Sequence, residues 1–303
     1  MKFRKILFVV ICCLIIVMFA GCPLLEIDEV PTGTTPPYIS ALDGQLEVHF
    51  IDVGQGDATL ILTPCDRVIK VDGGDNHMRQ DVIDYLNDLK IEHIDVVVAT
   101  HPHADHIGGL IGVINEFSIG VIYKPEVPVD LHPDTQTLRR FNLAITDNEV
   151  ETRYAVAGYV MWDYADLEIK VLSPSGGEYS RLNKYSLILS ITYGDTRAIL
   201  TGDAYKYNEQ WVLEQDFDVN ATLLSLGHHG SDTSSYLGFL QAVNPFFVIV
   251  SAGRNNRHGH PHNAVVDRVS QIETAIMLRT YEVGTIIAIS NGVDVEIILE
   301  NMQ

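Results

Sequence analysis

Histidines are grouped in this chain rather than scattered along it. Eight of the twelve lie in three short clusters, and the first cluster runs from His101 to His106. Residues two apart in an extended chain point the same way, so His101 and His103 can bind one metal ion together. Asp105 and His106 follow where the chain turns, and they can bind a second ion. Imidazole and carboxylate ligands suit zinc, with manganese or iron also compatible, so we expect two divalent transition-metal ions.

Three further polar motifs each follow a predicted strand. They are Val71-Asp72-Gly73-Gly74, Leu200-Thr201-Gly202-Asp203 and Gly227-His228-His229-Gly230-Ser231. Together with the pattern His-x-His-x-Asp-His-x-Gly-Gly, they resemble the metallo-β-lactamase superfamily in the same order along the chain. The resemblance implies an acidic support at Asp72, a carboxylate bridging the two metals at Asp203, and a last ligand at His228 or His229. Asp105 and Asp203 are then the predicted catalytic carboxylates.

A narrower resemblance covers nearly the whole span from Leu46 to Glu300. The stretches 50–58, 100–110, 183–187, 200–203, 228–231 and 258–261 are similar to the extramembrane hydrolase domain of ComEC-type DNA-uptake proteins. Those channels also carry a multi-span membrane domain, which we do not find in the sequence, so we do not expect this chain to transport DNA itself.

The ligand set of the first metal departs from the common pattern. Many superfamily members place a histidine ligand between the first cluster and the bridging aspartate. The one candidate here is His132, which lies in a Pro-rich loop. ComEC-like relatives have an Asn-x-x-Ser element instead, which matches Asn183 and Ser186. We therefore expect the first metal to have few ligands and to be held weakly.

The loop from Arg254 to His262 is a candidate for substrate contact. Its arginines could clamp a phosphate, and His258 or His260 could protonate a leaving oxygen. Binding of a stray metal ion, or capping of the next helix, would account for the same residues. We expect the phosphate contacts among Lys184, Arg254, Arg257 and Arg279. The full predicted set of substrate-contacting or supporting residues is Asp57, Asp72, Asn183, Lys184, Ser186, Ser231, Arg254, Arg257, His258, His260 and Arg279.

Short β-rich runs interleaved with amphipathic segments must position these side chains. Strands are predicted near 46–53, 58–63, 67–72, 94–100, 119–123, 167–172, 186–193, 196–201, 221–227, 246–251, 276–280, 285–290 and 293–299. Helices are predicted over 78–90, 107–116, 134–146, 205–215, 232–242 and 263–272. Many short strands with few crossover helices favour two packed sheets with helices outside. The predicted fold class is therefore α/β, as the four-layer αββα sandwich of the metallo-β-lactamase fold.

The N-terminal segment predicts export. Lys2, Arg4 and Lys5 precede an apolar run that ends at Gly21-Cys22, and this arrangement resembles a bacterial lipobox with Cys22 as the lipidated residue. The prediction is a lipoprotein signal peptide over 1–22, a Pro/Thr-rich tether over 23–44 and a hydrolase domain over 45–303. An uncleaved anchor helix and ordinary secretion are the alternatives. All three place the domain outside the cytoplasm, and the first predicts lipid anchoring to the cell membrane.

The net charge of −20 narrows the range of substrates. Such a chain would be repelled by nucleic acid unless a local basic cleft exists. Two close metals would lower the pKa of a shared water towards about 7 and so supply hydroxide, which favours hydrolysis of a phosphodiester. The predicted substrate is extracellular DNA or, as the alternative, a cell-wall or lipid headgroup, as for a phosphorylcholine esterase. Lactam hydrolysis is less favoured, a non-catalytic metal-stabilised surface binding module is a further alternative, and no protein partner is predicted.

Overall fold

The computed structural model describes residues 44–164 and 166–300. Fifteen strands are present in these ranges: β1 Leu46–Phe50, β2 Thr59–Leu62, β3 Val68–Val71, β4 His93–Val98, β5 Ser118–Lys124, β6 Glu151–Tyr154, β7 Val160–Tyr164, β8 Leu167–Ser173, β9 Ile188–Tyr193, β10 Thr196–Leu200, β11 Leu223–Ser225, β12 Phe247–Val250, β13 Ile276–Arg279, β14 Ile286–Ser290 and β15 Val295–Leu299. The α-helices are α1 Arg79–Asp88, α2 Ala104–Ile107, α3 Leu110–Glu116, α4 Gln136–Asp147, α5 Lys206–Glu214, α6 Leu237–Val243, α7 Asn263–Val269 and α8 Thr280–Val283.

The strands form two sheets. One has the order β15-β14-β1-β2-β3-β4-β5-β6, and the other has the order β13-β12-β11-β10-β9-β8-β7. Helices α1, α3 and α4 cover the outer face of the first sheet, and α5, α6 and α7 cover that of the second. The predicted αββα sandwich is therefore confirmed.

Strand β4 illustrates why the sequence forms these layers. Val97 belongs to the core beneath the helices, whereas its two neighbours Val96 and Val98 belong to the core between the two sheets. Side chains alternate across a strand, so a continuous apolar run is the pattern expected of a strand that is covered on both faces. Full burial of each such side chain contributes about 1.5–3 kcal/mol.

Parallel pairing brings the ends of several strands to one edge. Strands β3 to β6 are parallel to one another, as are β10 to β13. Their carboxyl ends lead into the loops that carry Asp72, His101 to His106, Asp203 and His228-His229. The two sheets therefore both contribute side chains to one site.

Several local predictions differ from the structure. Strands β6 and β7 and helix α8 were not predicted, because β6 is mostly polar and both strands are edge strands with little buried surface. Of the predicted helix over 107–116, only Leu110–Glu116 forms a helix of its own, α3, and Ile107 is the last residue of the separate short helix α2. The predicted helix over 232–242 begins only at Leu237, because residues 231–234 form a turn closed by a hydrogen bond from Ser234 N to the Ser231 carbonyl oxygen, and Ser235 has a positive φ.

No helix in the two described ranges is both long and apolar enough to cross a membrane. The predicted signal peptide, the lipidated Cys22 and all but the last residue of the predicted tether lie outside the described residues.

Candidate metal centre

The loop after β4 places the first histidine cluster. His101 is buried, and its Nε2 lies 2.9 Å from His103 Nδ1 and 3.4 Å from Asp203 Oδ2. We call the group His101, His103 and Asp203 Oδ2 position 1. Burial, together with the neighbouring charge of His101, lowers the pKa of His103 to about 4, so this ring is neutral and able to act as a ligand at pH 7.

A second group of ligand atoms surrounds the other oxygen of Asp203. His106 Nε2 lies 3.1 Å and His229 Nε2 lies 3.4 Å from Asp203 Oδ1, and His229 Nε2 lies 3.5 Å from Asp105 Oδ2. We call the group Asp105, His106, His229 and Asp203 Oδ1 position 2. Tetrahedral zinc ligands at bond lengths of about 2.0–2.1 Å are about 3.3 Å apart, so the spacing fits one ion.

The polar atoms at position 2 lack partners. His106 Nε2, Asp203 Oδ1 and His229 Nε2 are all buried without a hydrogen-bond partner. Leaving such an atom unsatisfied costs about 1–3 kcal/mol, so three of them side by side need a common partner. A metal ion would satisfy all three, and the donor set therefore fits the metal that the resemblance implies.

Hydrogen bonds behind the ligands set their tautomers. His229 Nδ1 lies 3.0 Å from the Ser251 carbonyl oxygen, which can only accept, so the proton is assigned to Nδ1 and the lone pair of Nε2 faces the site. His106 Nδ1 lies 2.7 Å from Asp72 Oδ2. Asp57 lies behind both rings, with its carboxylate 3.3 Å from His229 Nδ1 and 3.9 Å from His106 Nδ1.

Asp72 lies behind the ligands rather than among them. Its Oδ1 accepts from the Thr100 backbone N–H at 2.8 Å, and its Oδ2 accepts from the Thr100 hydroxyl at 2.6 Å. The turn that carries Asp72 approaches the start of α3 closely, and a Cβ on Gly109 would collide with the Gly73 carbonyl oxygen. Glycine at this contact therefore lets Asp72 reach His106.

Opposing effects set the proton affinities of these groups. Burial alone would lower the pKa of His106, but the carboxylates of Asp203 and Asp72 raise it well above its usual value. Burial would raise the pKa of Asp203, yet His106, His229 and His101 hold it well below the usual range. The ligands attract positive charge strongly, and a metal cation must displace the protons that they bind.

His228 and His229 point to different positions. Both have left-handed backbone conformations, with φ of 53° and 56°. His228 Nε2 lies 3.5 Å from Asp203 Oδ2 and 3.4 Å from Asn183 Nδ2, on the side of position 1. Its Nδ1 lies 2.9 Å from Thr233 Oγ1, which donates in turn to Ser231 Oγ. His229 is the residue that reaches position 2.

The Asn-x-x-Ser element lies beside position 1. Asn183 Nδ2 donates to Asp203 Oδ2 at 3.0 Å, and the Ser186 hydroxyl is buried without a hydrogen-bond partner. His132 lies in an exposed loop away from this element, and its Nε2 contacts the Val127 carbonyl oxygen of the same loop. Lys184, beside Asn183, places its Nζ 4.4 Å from the centroid of the Tyr207 ring.

The loop from Arg254 to His262 contributes one residue next to the metal ligands. The His260 ring lies 5.5 Å from that of His228 and 6.2 Å from that of His229, measured between centroids, and its Nδ1 is buried without a partner. Burial lowers the pKa of His260 to about 4, an effect reinforced by the neighbouring histidines. His258 stacks on the outer side of His260, at 5.4 Å.

The predicted arginines are engaged elsewhere. Arg254 donates to the Tyr281 carbonyl oxygen, Arg279 forms an ion pair with Glu282 at 3.1 Å, and Arg257 contacts the exposed His258 at 3.0 Å. The structure does not bring these guanidinium groups together with the metal ligands.

Four residues that support the site were not predicted from the sequence. Thr100, Ser251 and Thr233 orient ligands or their neighbours, and Tyr205 packs its ring 5.8 Å from that of His228. Thr100 could have been found from its place directly before His101. The carbonyl of Ser251 acts through the backbone, so its residue type carries no signal.

Comparison with known proteins adds independent evidence. Residues 51–245 match the family model of the metallo-beta-lactamase superfamily. The chain is 31% identical over 262 residues to "ComE operon protein 3" of Bacillus subtilis, covering 81% of this chain and 33% of that protein. It is 30% identical to "Competence protein ComA" of Neisseria gonorrhoeae, covering 75% and 30%. The chain thus spans about a third of the length of these relatives.

Solved structures agree on the fold. CmlA, a diiron β-hydroxylase from Streptomyces venezuelae, superposes with a TM-score of 0.53 at 15% identity, covering 82% of this chain and 54% of CmlA. The metallo hydrolase Igni18 from Ignicoccus hospitalis superposes with a TM-score of 0.52 at 14% identity, covering 80% and 98%. Fold, ordered motifs and family model agree, and the chain belongs to the metallo-β-lactamase superfamily.

Proposed function

We propose that this protein is a metal-dependent phosphodiesterase that acts on nucleic acid outside the cytoplasm. The proposal rests on the position of the Asp203 carboxylate, whose Oδ1 and Oδ2 face two separate groups of candidate ligand atoms. One carboxylate between two such groups suits a pair of close metal ions. The resemblance of the chain to competence proteins favours a polynucleotide among phosphodiesters.

The residues of the chain would share the work as follows. His101, His103 and Asp203 would hold one ion, and Asp105, His106, His229 and Asp203 would hold the other. When bound, the two ions supply Lewis acidity and a hydroxide nucleophile at neutral pH. Zinc, with manganese or iron as alternatives, suits these histidine and carboxylate ligands.

His260 is suited to contact the substrate beside the metals. It is half-buried and neutral at pH 7, and its ring lies next to those of His228 and His229. Its Nδ1 is buried without a hydrogen-bond partner. A neutral imidazole with a free ring nitrogen can donate to or accept from a phosphate oxygen. We assign His260 to binding and orienting the phosphate that lies over the two metal positions.

Export and lipid anchoring complete the proposal. They rest on the sequence from Lys2 to Cys22 and on the Pro/Thr-rich segment that follows. A headgroup phosphodiesterase, a lactam hydrolase and a non-catalytic binding module are the alternatives, and the same experiment separates them.

The test combines metal analysis with a substrate screen. The purified protein is loaded with zinc, manganese or iron, its bound metal is counted, and it is assayed with methyl p-nitrophenyl phosphate, single-stranded DNA, glycerophosphocholine and a β-lactam. We expect close to two ions per chain and turnover of both the small diester and DNA. Asp203→Ala should abolish turnover while circular dichroism stays unchanged. Full activity in Asp203→Ala, or no turnover of any phosphodiester with two ions bound, would refute the proposal.

A further inference from the structure

The side of position 1 adjoins a surface rich in tyrosine. Tyr205 follows Asp203 by two residues, and its ring is tilted by 31° against that of His228 at 5.8 Å. Tyr207 lies in the first turn of α5 and is 48% exposed. Tyr179 packs edge-on against Tyr207, at 6.0 Å between ring centroids. One aromatic ring therefore lies against the candidate ligand His228, and an exposed one lies two residues further along the chain.

Two cations flank these rings. Lys184 Nζ lies 4.4 Å from the centroid of the Tyr207 ring. The exposed Arg181 is three residues earlier. Burial and Asp203 raise the pKa of Tyr205, and the nearby positive charge of Arg181 opposes this shift. We call Arg181, Lys184, Tyr205 and Tyr207 the Tyr/Lys surface.

Hydrogen bonds fix the geometry of this surface. Asn208 Nδ2 donates to the Lys184 carbonyl oxygen at 2.8 Å and to Ser173 Oγ at 2.9 Å. These bonds tie the turn that carries Lys184 to the first turn of α5, which carries Tyr207. Asn183, in the same turn, contacts Asp203 at 3.0 Å. Hydrogen bonds thus connect the Tyr/Lys surface to Asp203.

The charge of the surface contrasts with that of the whole chain. The net charge is −20, and five arginines form ion pairs with carboxylates, namely Arg67, Arg139, Arg153, Arg197 and Arg279. Within residues 44–164 and 166–300, neither Arg181 nor Lys184 forms an ion pair. Two cations without an ion-pair partner provide a local site for an anion in an otherwise repulsive field.

We propose that the Tyr/Lys surface binds the nucleotide that flanks the scissile phosphate of single-stranded nucleic acid. Tyr207 and Tyr205 contact the base, and Lys184 and Arg181 contact the neighbouring phosphate. Combined aromatic and cationic contacts are the usual means of binding single strands without sequence preference. The inference rests on the proposed phosphodiesterase function and names its substrate class.

The same surface disfavours the headgroup alternative. A choline group carries a quaternary ammonium, which aromatic rings can bind, but here the rings are flanked by Lys184 and Arg181. Their positive charges would repel it. A duplex fits less well too, because its bases are stacked on one another and are not free to contact a tyrosine.

The experiment compares three substrates on the full-length, metal-loaded protein. They are an oligothymidylate, an abasic oligomer of the same length with the same phosphates, and methyl p-nitrophenyl phosphate. Tyr207→Ala should raise KM for the oligothymidylate at least about fivefold, and clearly more than for the other two substrates. Lys184→Met should raise KM for both oligomers and reduce the salt dependence of binding by close to one phosphate contact.

Phe246→Ala is the matched control. Phe246 is an aromatic residue of similar exposure, 45%, directly before β12 and therefore at the opposite edge of the sheet from the metal centre. Its replacement should leave all three KM values unchanged. An equal effect of Tyr207→Ala on the oligothymidylate and the abasic oligomer, or no effect on either, would overturn the inference.

Binding measured by fluorescence anisotropy separates this inference from the proposed function. If the metal-loaded protein binds labelled oligothymidylate through Tyr207 but hydrolyses no diester, the proposed function fails and the binding surface stands. If the small diester turns over but Tyr207→Ala leaves oligothymidylate binding intact, the surface fails and the hydrolase stands.

Discussion

His228 and His229 are consecutive in the chain, yet their Nε2 atoms face different oxygens of one carboxylate. His228 lies 3.5 Å from Asp203 Oδ2, and His229 lies 3.4 Å from Asp203 Oδ1. Two successive left-handed residues make this possible, and each costs about 1–3 kcal/mol outside glycine. The hydrogen bond from His228 N to the Gly202 carbonyl oxygen, at 2.8 Å, helps to hold the strained turn against the loop of Asp203.

Replacement of these two histidines should affect different metals. His229→Ala removes one of the atoms at position 2, so bound metal should fall by about one ion per chain. His228→Ala should leave that ion in place and weaken only the binding of the ion at position 1. Metal counts after dialysis measure both effects. His93→Ala, a partly exposed histidine at the start of β4 that contacts Ser118, is the control and should retain the wild-type count. Equal losses from both variants would contradict this assignment.

Thr100 should contribute to metal affinity without contacting a metal. Its hydroxyl donates to Asp72, which orients His106. Loss of such an outer partner typically costs about 10–100-fold in metal affinity, so we expect a loss of this size in Thr100→Val. Competition with a chromogenic chelator measures it.

The control for this prediction is Thr196→Val. Thr196 is equally buried, at the start of β10, and bonds to Tyr193 and Ser290 far from the ligands. Thr196→Val should lower the free energy of unfolding and leave the metal affinity unchanged. The same affinity for metal in both variants would rule out the role of Thr100.

The burial of Lys70 should make the stability of the fold depend on pH. Lys70 is fully buried, and burial lowers its pKa from 10.5 to about 7, against the opposing effects of Asp72 and Asp57. Between pH 7 and pH 10.5, the unfolded chain binds a proton at Lys70 that the folded chain does not. The free energy of unfolding should therefore rise with pH in this range, by up to about 1.4 kcal/mol per pH unit. Lys70→Met lacks this group. Urea unfolding of both metal-free proteins from pH 7 to 10 should give curves that diverge, and parallel curves would disprove the shift.

Cys22→Ala tests the predicted lipid anchor. The segment from Pro23 to Gly44 contains little apolar surface, so without the lipid the protein should leave the membrane fraction. Fractionation followed by immunoblotting measures the distribution. Continued membrane association with an unprocessed N-terminus would favour the uncleaved anchor helix instead.

The layers of the fold could be predicted from the sequence for a physical reason. Val96 and Val98 continue an apolar run that only a strand covered on both faces can accommodate, and the polar residues from His101 directly follow it. Strand β6, by contrast, was missed because its residues Glu151 to Tyr154 bury little surface and pair with a single neighbour, β5. Edge strands of this kind carry no periodic signal.

The orientation of side chains that depends on unusual backbone angles could not be predicted from the sequence. The choice between His228 and His229 follows from their positive φ angles, which nothing in their residue types requires. The Tyr/Lys surface was also missed, because Tyr205 and Lys184 are separated in the chain and are linked through Asn208, which accepts from Tyr205 N and donates to the Lys184 carbonyl oxygen. Lys184 itself had been predicted as a phosphate contact, although without its aromatic partners.

The placement of ligands on both sheets has a thermodynamic consequence. His101 to His106 extend from the first sheet, and Asp203 and His229 extend from the second. A metal ion held between them acts as a cross-link between the two halves of the chain, and it binds only when both halves have docked. Free metal at about 100 times its dissociation constant would then add about 2.7 kcal/mol to global stability. Chelation should accordingly speed hydrogen exchange in strands of both sheets, including amides far from the ligands.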